Sequence, residues 1–187
     1  MDNLKDVVNK VDQHDLVVFD LETLLEGVKI TTLDLATLLD DPFFLREQSF
    51  RAQVKALEIS PFEGAYVAIT DSSEAIVPNW AYMLLSARLM DVAHSVHIGD
   101  EREVRSRLIR EKLTALPTSA YRGQTVIIKG CGSGSVPPDA YAVSLQVFAQ
   151  DAKKVMFGEP CSSVPVWRQT KDRTNVLSET KRSHDII

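Results

Sequence analysis

Apolar residues gather in short runs that alternate with helical stretches. "YVAIT" from Tyr66 and "TVIIK" from Thr125 are compact and rich in β-branched residues, which suits strands buried on both faces. A loop of small polar residues follows each, "DSSEAI" and "GCGSGS". Then come "NWAYMLLSARLMDVA" and "PDAYAVSLQVFAQDA", which read as helices, with Pro78 and Pro137 in the first turn, where proline is tolerated. "SVHIG" and "KVMFG" are the returning strands, each closed by glycine. Strand–helix–strand implies parallel strands and a right-handed crossover.

The two halves of this pattern are one pattern. Residues 67–100 laid over 126–159 without a gap give nine identities in 34 positions. They fall on Val67/Val126, Ile69/Ile128, Val77/Val136, Pro78/Pro137, Ala81/Ala140, Tyr82/Tyr141, Ala93/Ala152, Val96/Val155 and Gly99/Gly158. A constant offset at structure-setting positions argues for an internal duplication, bounded at 66–100 and 125–159. Between the copies, "DEREVRSRLIREKLTAL" is an amphipathic helix with Val104, Leu108, Ile109 and Leu113 inward.

The first 60 residues are less regular and read as α+β. "LVVFDLE" and "VKITTLDL" look like strands, antiparallel across a turn near Glu26-Gly27. "LATLLDD" is a short helix stopped at Asp41-Pro42, and "SFRAQVKALE" is a helix capped by Ser49 with Phe50, Val54 and Leu57 inward. The expected class is α/β. It has a central, mostly parallel sheet of about four strands with helices on its faces. Residues 1–167 form a single domain and 168–187 a polar tail, disordered or wrapped on a partner.

Composition changes this picture little. The chain has 187 residues, 44% hydrophobic and 25% charged, enough for a well-buried core. A net charge of -5 offers no basic field for nucleic acid or acidic lipid. No apolar run reaches the roughly 20 residues that span a bilayer, and the start lacks a signal-peptide core. Two cysteines are too few for a secreted disulfide framework, so the expectation is a cytoplasmic protein with reduced thiols. A protein partner or a homo-oligomer stays open.

Chemistry concentrates in the loops. In an open parallel sheet the carboxyl ends of the strands face the ligand crevice. The loops beginning at Asp71, Asp100, Gly130-Cys131 and Glu159-Pro160-Cys161 should open there, the last as a third serine-rich loop, "CSSVPVW". Cys131 and Cys161 with Asp71 make a candidate metal set, since thiolate and carboxylate both ligate zinc, and iron is a further possibility. Asp100, Glu159 and His97 compete for a fourth place. The plain alternative is that the thiols fill tight turns and that Asp71 turns the chain before Ser72-Ser73. Ser72, Ser73, Ser133, Ser162 and Ser163 are turn-formers, and no nucleophile elbow is present. "GCGSG" is neither a Walker motif nor a dinucleotide fingerprint.

"AITDSSEAIVPNWAYMLL", "VIIKGCGSGSVPPDAY" and "VMFGEPCSSVPVW" together resemble a bacterial domain-of-unknown-function family, domain of unknown function 2480, from Val7 to Trp167. The resemblance implies no set activity. It implies cysteine in many relatives at the position of Asp71, beside matches to Cys131 and Cys161. It also implies proximity, in some, to iron–sulfur assembly genes. The reading is therefore a metal-binding protein, zinc foremost, with its site at the strand ends. The alternatives are a non-catalytic accessory module for iron–sulfur or sulfur handling, and an unmetallated enzyme using Cys131.

Overall fold

A computed structural model describes residues 16–130 and 136–170. The chain divides into two compact units. Residues 26–107 form the continuous unit. The described residues up to Leu25 and those from Leu108 onward form the split unit.

The continuous unit holds a three-stranded parallel sheet. β2 (Ile30–Asp34) and β4 (Ser95–Ile98) flank β3 (Tyr66–Thr70), with Leu33 opposite Ile69 and Val67 opposite Val96. Val67, Ala68 and Ile69 are all fully buried, as a β-branched strand covered on both faces should be. Helix α1 (Glu47–Ala56) buries Phe50 and Val54, and α2 (Asn79–Leu89) buries Ala81, Leu85 and Leu89 against the same core. Leu57 is only partly buried. Ser49 lies inside α1 rather than capping it. The preceding Arg46 has the extended backbone of a cap and gives the helix no side-chain capping bond. Glu47 places a carboxylate at the positive end of the helix instead.

In the split unit, β1 (Leu16–Asp20), β5 (Thr125–Lys129) and β6 (Lys154–Phe157) run parallel in that order. Helix α4 (Pro138–Phe148) buries Ala140, Val143, Val147 and Phe148. Phe19, Tyr121 and Phe148 pack edge to face, with centroids 4.9 to 6.3 Å apart. Helix α3 (Glu101–Thr114) carries the chain from one unit to the other, and its Val104, Leu108, Ile109 and Leu113 are all buried.

The elements recur at the 59-residue offset with identical bounds: β3 with β5, α2 with α4, β4 with β6. Backbone bonds recur too. Gly99 N–H donates to Ile69 and Gly158 N–H to Ile128, while Gly64 N–H donates to Val92 and Gly123 N–H to Asp151. Pro78 and Pro137 both stand one place before their helices, extended, rather than in the first turn.

The α/β class is as expected, but several local expectations give way. Each unit builds its own sheet, so the strands do not merge into a single central one. β1 and β2 do not form an antiparallel hairpin. A 3-10 turn, Leu21–Leu25, leads the chain off the end of β1, and each strand then joins its own sheet in parallel. The "CSSVPVW" segment does not start a helix. It turns into β7 (Val164–Arg168), antiparallel to β6 at the sheet edge. Pro165 has no N–H to donate, which an edge strand tolerates. The tail expected from Arg168 onward thus begins at the end of a strand, and most of it lies outside the described residues.

Candidate functional site

Because all the strands of each unit's repeat are parallel, each sheet gathers its loops at one carboxyl edge. In the continuous unit that edge is closed by hydrogen bonds. Asp71 Oδ1 accepts from Ser73 N–H at 2.9 Å and from the Ser73 hydroxyl at 2.6 Å, and its Oδ2 accepts the Tyr82 hydroxyl at 3.3 Å. Burial, then the Asp71 charge and hydrogen bond, pushes the Tyr82 phenol up. Ser72 reaches the end of the neighbouring strand. Its N–H donates to Asp34 Oδ1 at 3.1 Å and its hydroxyl to Asp34 Oδ2. Burial opposes the Asp34 charge, yet the bonds from Ser72 and Ala36 win and hold that carboxyl below its usual range. At the end of β4, Asp100 and Glu103 form a reciprocal capping box: Glu103 N–H donates to Asp100 at 2.8 Å, and Asp100 N–H to Glu103 at 2.9 Å.

The split unit's edge carries charge and sulfur. Lys129, at the end of β5, lies 3.3 Å from Glu159 and 3.9 Å from Asp20. The hydrogen bond to Glu159, followed by the Glu159 and Asp20 charges, raises the Lys129 ammonium. Cys161 is a free, exposed thiol in the turn between β6 and β7. Cys131 follows Gly130 directly in the chain and lies outside the described residues. Gly130 itself is buried at φ +152°, in the range that favours glycine, and the Tyr141 hydroxyl donates to its carbonyl.

The predicted ligands therefore divide. Asp71 belongs to the continuous unit and spends both carboxylate oxygens on neighbours. Cys161 belongs to the split unit, as does the strand leading to Cys131. His97 Nε2 is 2.8 Å from the Ser95 hydroxyl and its ring stacks on Tyr66. His94 also packs on Tyr66, 4.4 Å between centroids. Among the described residues, no three His, Cys, Asp or Glu side chains come together as a metal group. No helix among them is long and apolar enough to cross a membrane.

Asp20 and Asp34 were not foreseen. The signal was present as "DLETLL" and "DLATLL", the same motif 14 residues apart. In each, the aspartate carboxylate accepts from the N–H two residues on, and its carbonyl accepts the threonine hydroxyl at 2.7 Å. The motif ends β1 and β2 alike and brings a carboxylate to each edge.

These features define a mostly parallel α/β protein with polar and thiol-bearing loops at its strand ends. Residues 5–169 match the family described as protein of unknown function (DUF2480), and the chain belongs to it. No curated protein and no solved structure matches the chain.

Proposed function

We propose that the chain binds a soft divalent metal, zinc foremost, through the thiolates of Cys131 and Cys161 at the carboxyl edge of the split unit's sheet. The observation that carries this reading is strand adjacency. β5 and β6 are parallel neighbours, with Ile128 opposite Phe157, and each cysteine comes within four residues of its strand's end. Loops leaving adjacent parallel strands start about 5 Å apart. Two thiolates suit zinc, and iron by the same softness. The surrounding charge supports a cation, since Asp20 and Glu159 share one lysine. Asp71 is not needed, because its local bonds account for it. The test counts zinc and iron per chain in untagged protein. Parent protein should hold stoichiometric metal, and both Cys131→Ala and Cys161→Ala should lose most of it. Equal metal in the parent and Cys131→Ala ends the proposal.

A second reading, a non-catalytic interaction module, is favoured by α2. Met83, Ala87 and Met90 are exposed along one face of a helix that is apolar nearly all round. If that face docks a protein, Met83→Glu should abolish complex formation in sedimentation without moving the metal content.

A further inference from the structure

The split unit contains a cavity of about 600 Å³, within the size range of small-molecule sites. Ile128, Gly130 and Val136 are its buried inner wall. Tyr141, Leu145 and Phe157 are half-buried, and Ala142 and Val166 stand exposed at the mouth. Tyr141 and Phe157 meet edge to face at 5.5 Å.

The other unit explains how this space arises. At the matching positions it carries Asp71 for Gly130, Met83 for Ala142, Ser86 for Leu145 and Ile98 for Phe157. One side chain, Met83 against Ala142, is thus cut back at the mouth. Two are enlarged, one from polar to apolar and one from aliphatic to aromatic, where the cavity needs walls. β7 then adds Val166 on a side where the described residues of the continuous unit offer no fourth strand.

We infer that it binds an uncharged apolar small molecule, an aliphatic chain or a one- to two-ring compound. None of the described lining residues carries a charge. The Tyr141 hydroxyl is already committed to the Gly130 carbonyl. Among the described lining residues, nothing would replace the hydration that a charged ligand loses. Apolar transfer and stacking on the aromatic pair supply the affinity. Apolar binding of this kind needs no metal.

The test is a fluorescence titration of the full chain with N-phenyl-1-naphthylamine, an uncharged apolar probe, with 1-decanol as competitor. Saturable binding at one site per chain, displaced by decanol, is expected. Ala142→Met copies the other unit and should weaken binding at least tenfold with an unchanged melting temperature. Met83→Ala should leave binding unaltered. Absence of saturable binding, or equal affinity in Ala142→Met, overturns the inference. So does self-association of the parent that Ala142→Met removes while the probe fails to bind, because the occupant would then be a second copy.

Discussion

Tyr82 donates its hydroxyl to Asp71, while Tyr141, at the matching place in the other unit, donates to the backbone carbonyl of Gly130. One helix position thus closes both loops. It uses a carboxylate where a side chain exists and the main chain where none does. The tyrosines serve as loop anchors before any chemistry is considered.

Removing the charge at Asp71 should therefore be read at Tyr82. In Asp71→Asn the phenol loses its anionic neighbour, and its pKa should fall towards the ordinary tyrosine value. A raised phenol pKa contributes stability present below the unfolded pKa and lost as pH rises through the folded one. The variant should cost about 1 kcal/mol at neutral pH, and its difference from the parent should shrink as pH rises through the folded Tyr82 pKa. Ultraviolet titration of tyrosinate checks the first claim and denaturant melts the second. An unmoved Tyr82 titration would refute the pairing.

Ser72→Ala should act on Asp34 in the opposite sense. Without the Ser72 hydroxyl, the Asp34 carboxyl should rise towards its usual range. A depressed carboxyl contributes stability above its unfolded pKa, and that contribution disappears as pH falls through the folded pKa. Parent and variant should differ by up to about 1 kcal/mol at pH 7 and converge in acid. Carboxyl carbon shifts across an acid titration measure the change at Asp34 directly.

Gly130 has little freedom to change. A Cβ there would meet Leu21 Cβ and the Tyr141 hydroxyl, each at 3.2 Å, on a backbone at φ +152°. Gly130→Ala should cost about 1–3 kcal/mol. Gly27, at φ +73° with open space around it, should suffer only the backbone penalty, about 1 kcal/mol. Thermal melts of the two variants decide whether crowding adds to conformation at Gly130.

Cys161 should look different with and without metal. It is exposed, so Cys161→Ala in metal-free protein should fall within about 0.5 kcal/mol of the parent. With zinc at 100 times its dissociation constant, the parent alone should gain about 2.7 kcal/mol. Parallel melts with zinc and with chelator test this. A zinc response equal in both proteins would count against the thiolate.

Much of this was legible in the chain. The repeated strand–loop–helix pattern placed α2 and α4, and spacing alone gave the inward face of α3 with Val104, Leu108, Ile109 and Leu113. The choice of strand partner was not legible. Leu16 pairs with Thr125, and nothing near Leu16 announces it. β7 was hidden by its Val-Pro, which elsewhere precedes a helix. Here no helical apolar stripe follows, only Val164 and Val166 in alternation. Within the site, Asp71 and the cysteines drew attention as residue types. Asp20 and Asp34 escaped because strand ends do not advertise which neighbour they will hold.

The interleaved order of the strands also bears on how the chain is made. Synthesis supplies β2, β3 and β4 in succession, with Ile30 meeting Tyr66 over a modest separation. β1 emerges first, yet its partner β5 arrives roughly a hundred residues later. The added loop-closure entropy is small, about 1 kcal/mol for a threefold longer loop. The delay is the larger effect. While the chain grows on the ribosome, β1 leaves Val17 and Phe19 without their eventual cover, and the middle of the sequence can reach its native pairing ahead of both ends. Ribosome-bound chains in which Arg107 has just cleared the exit tunnel should already resist protease across residues 30–98 while residues 16–20 remain open to cleavage.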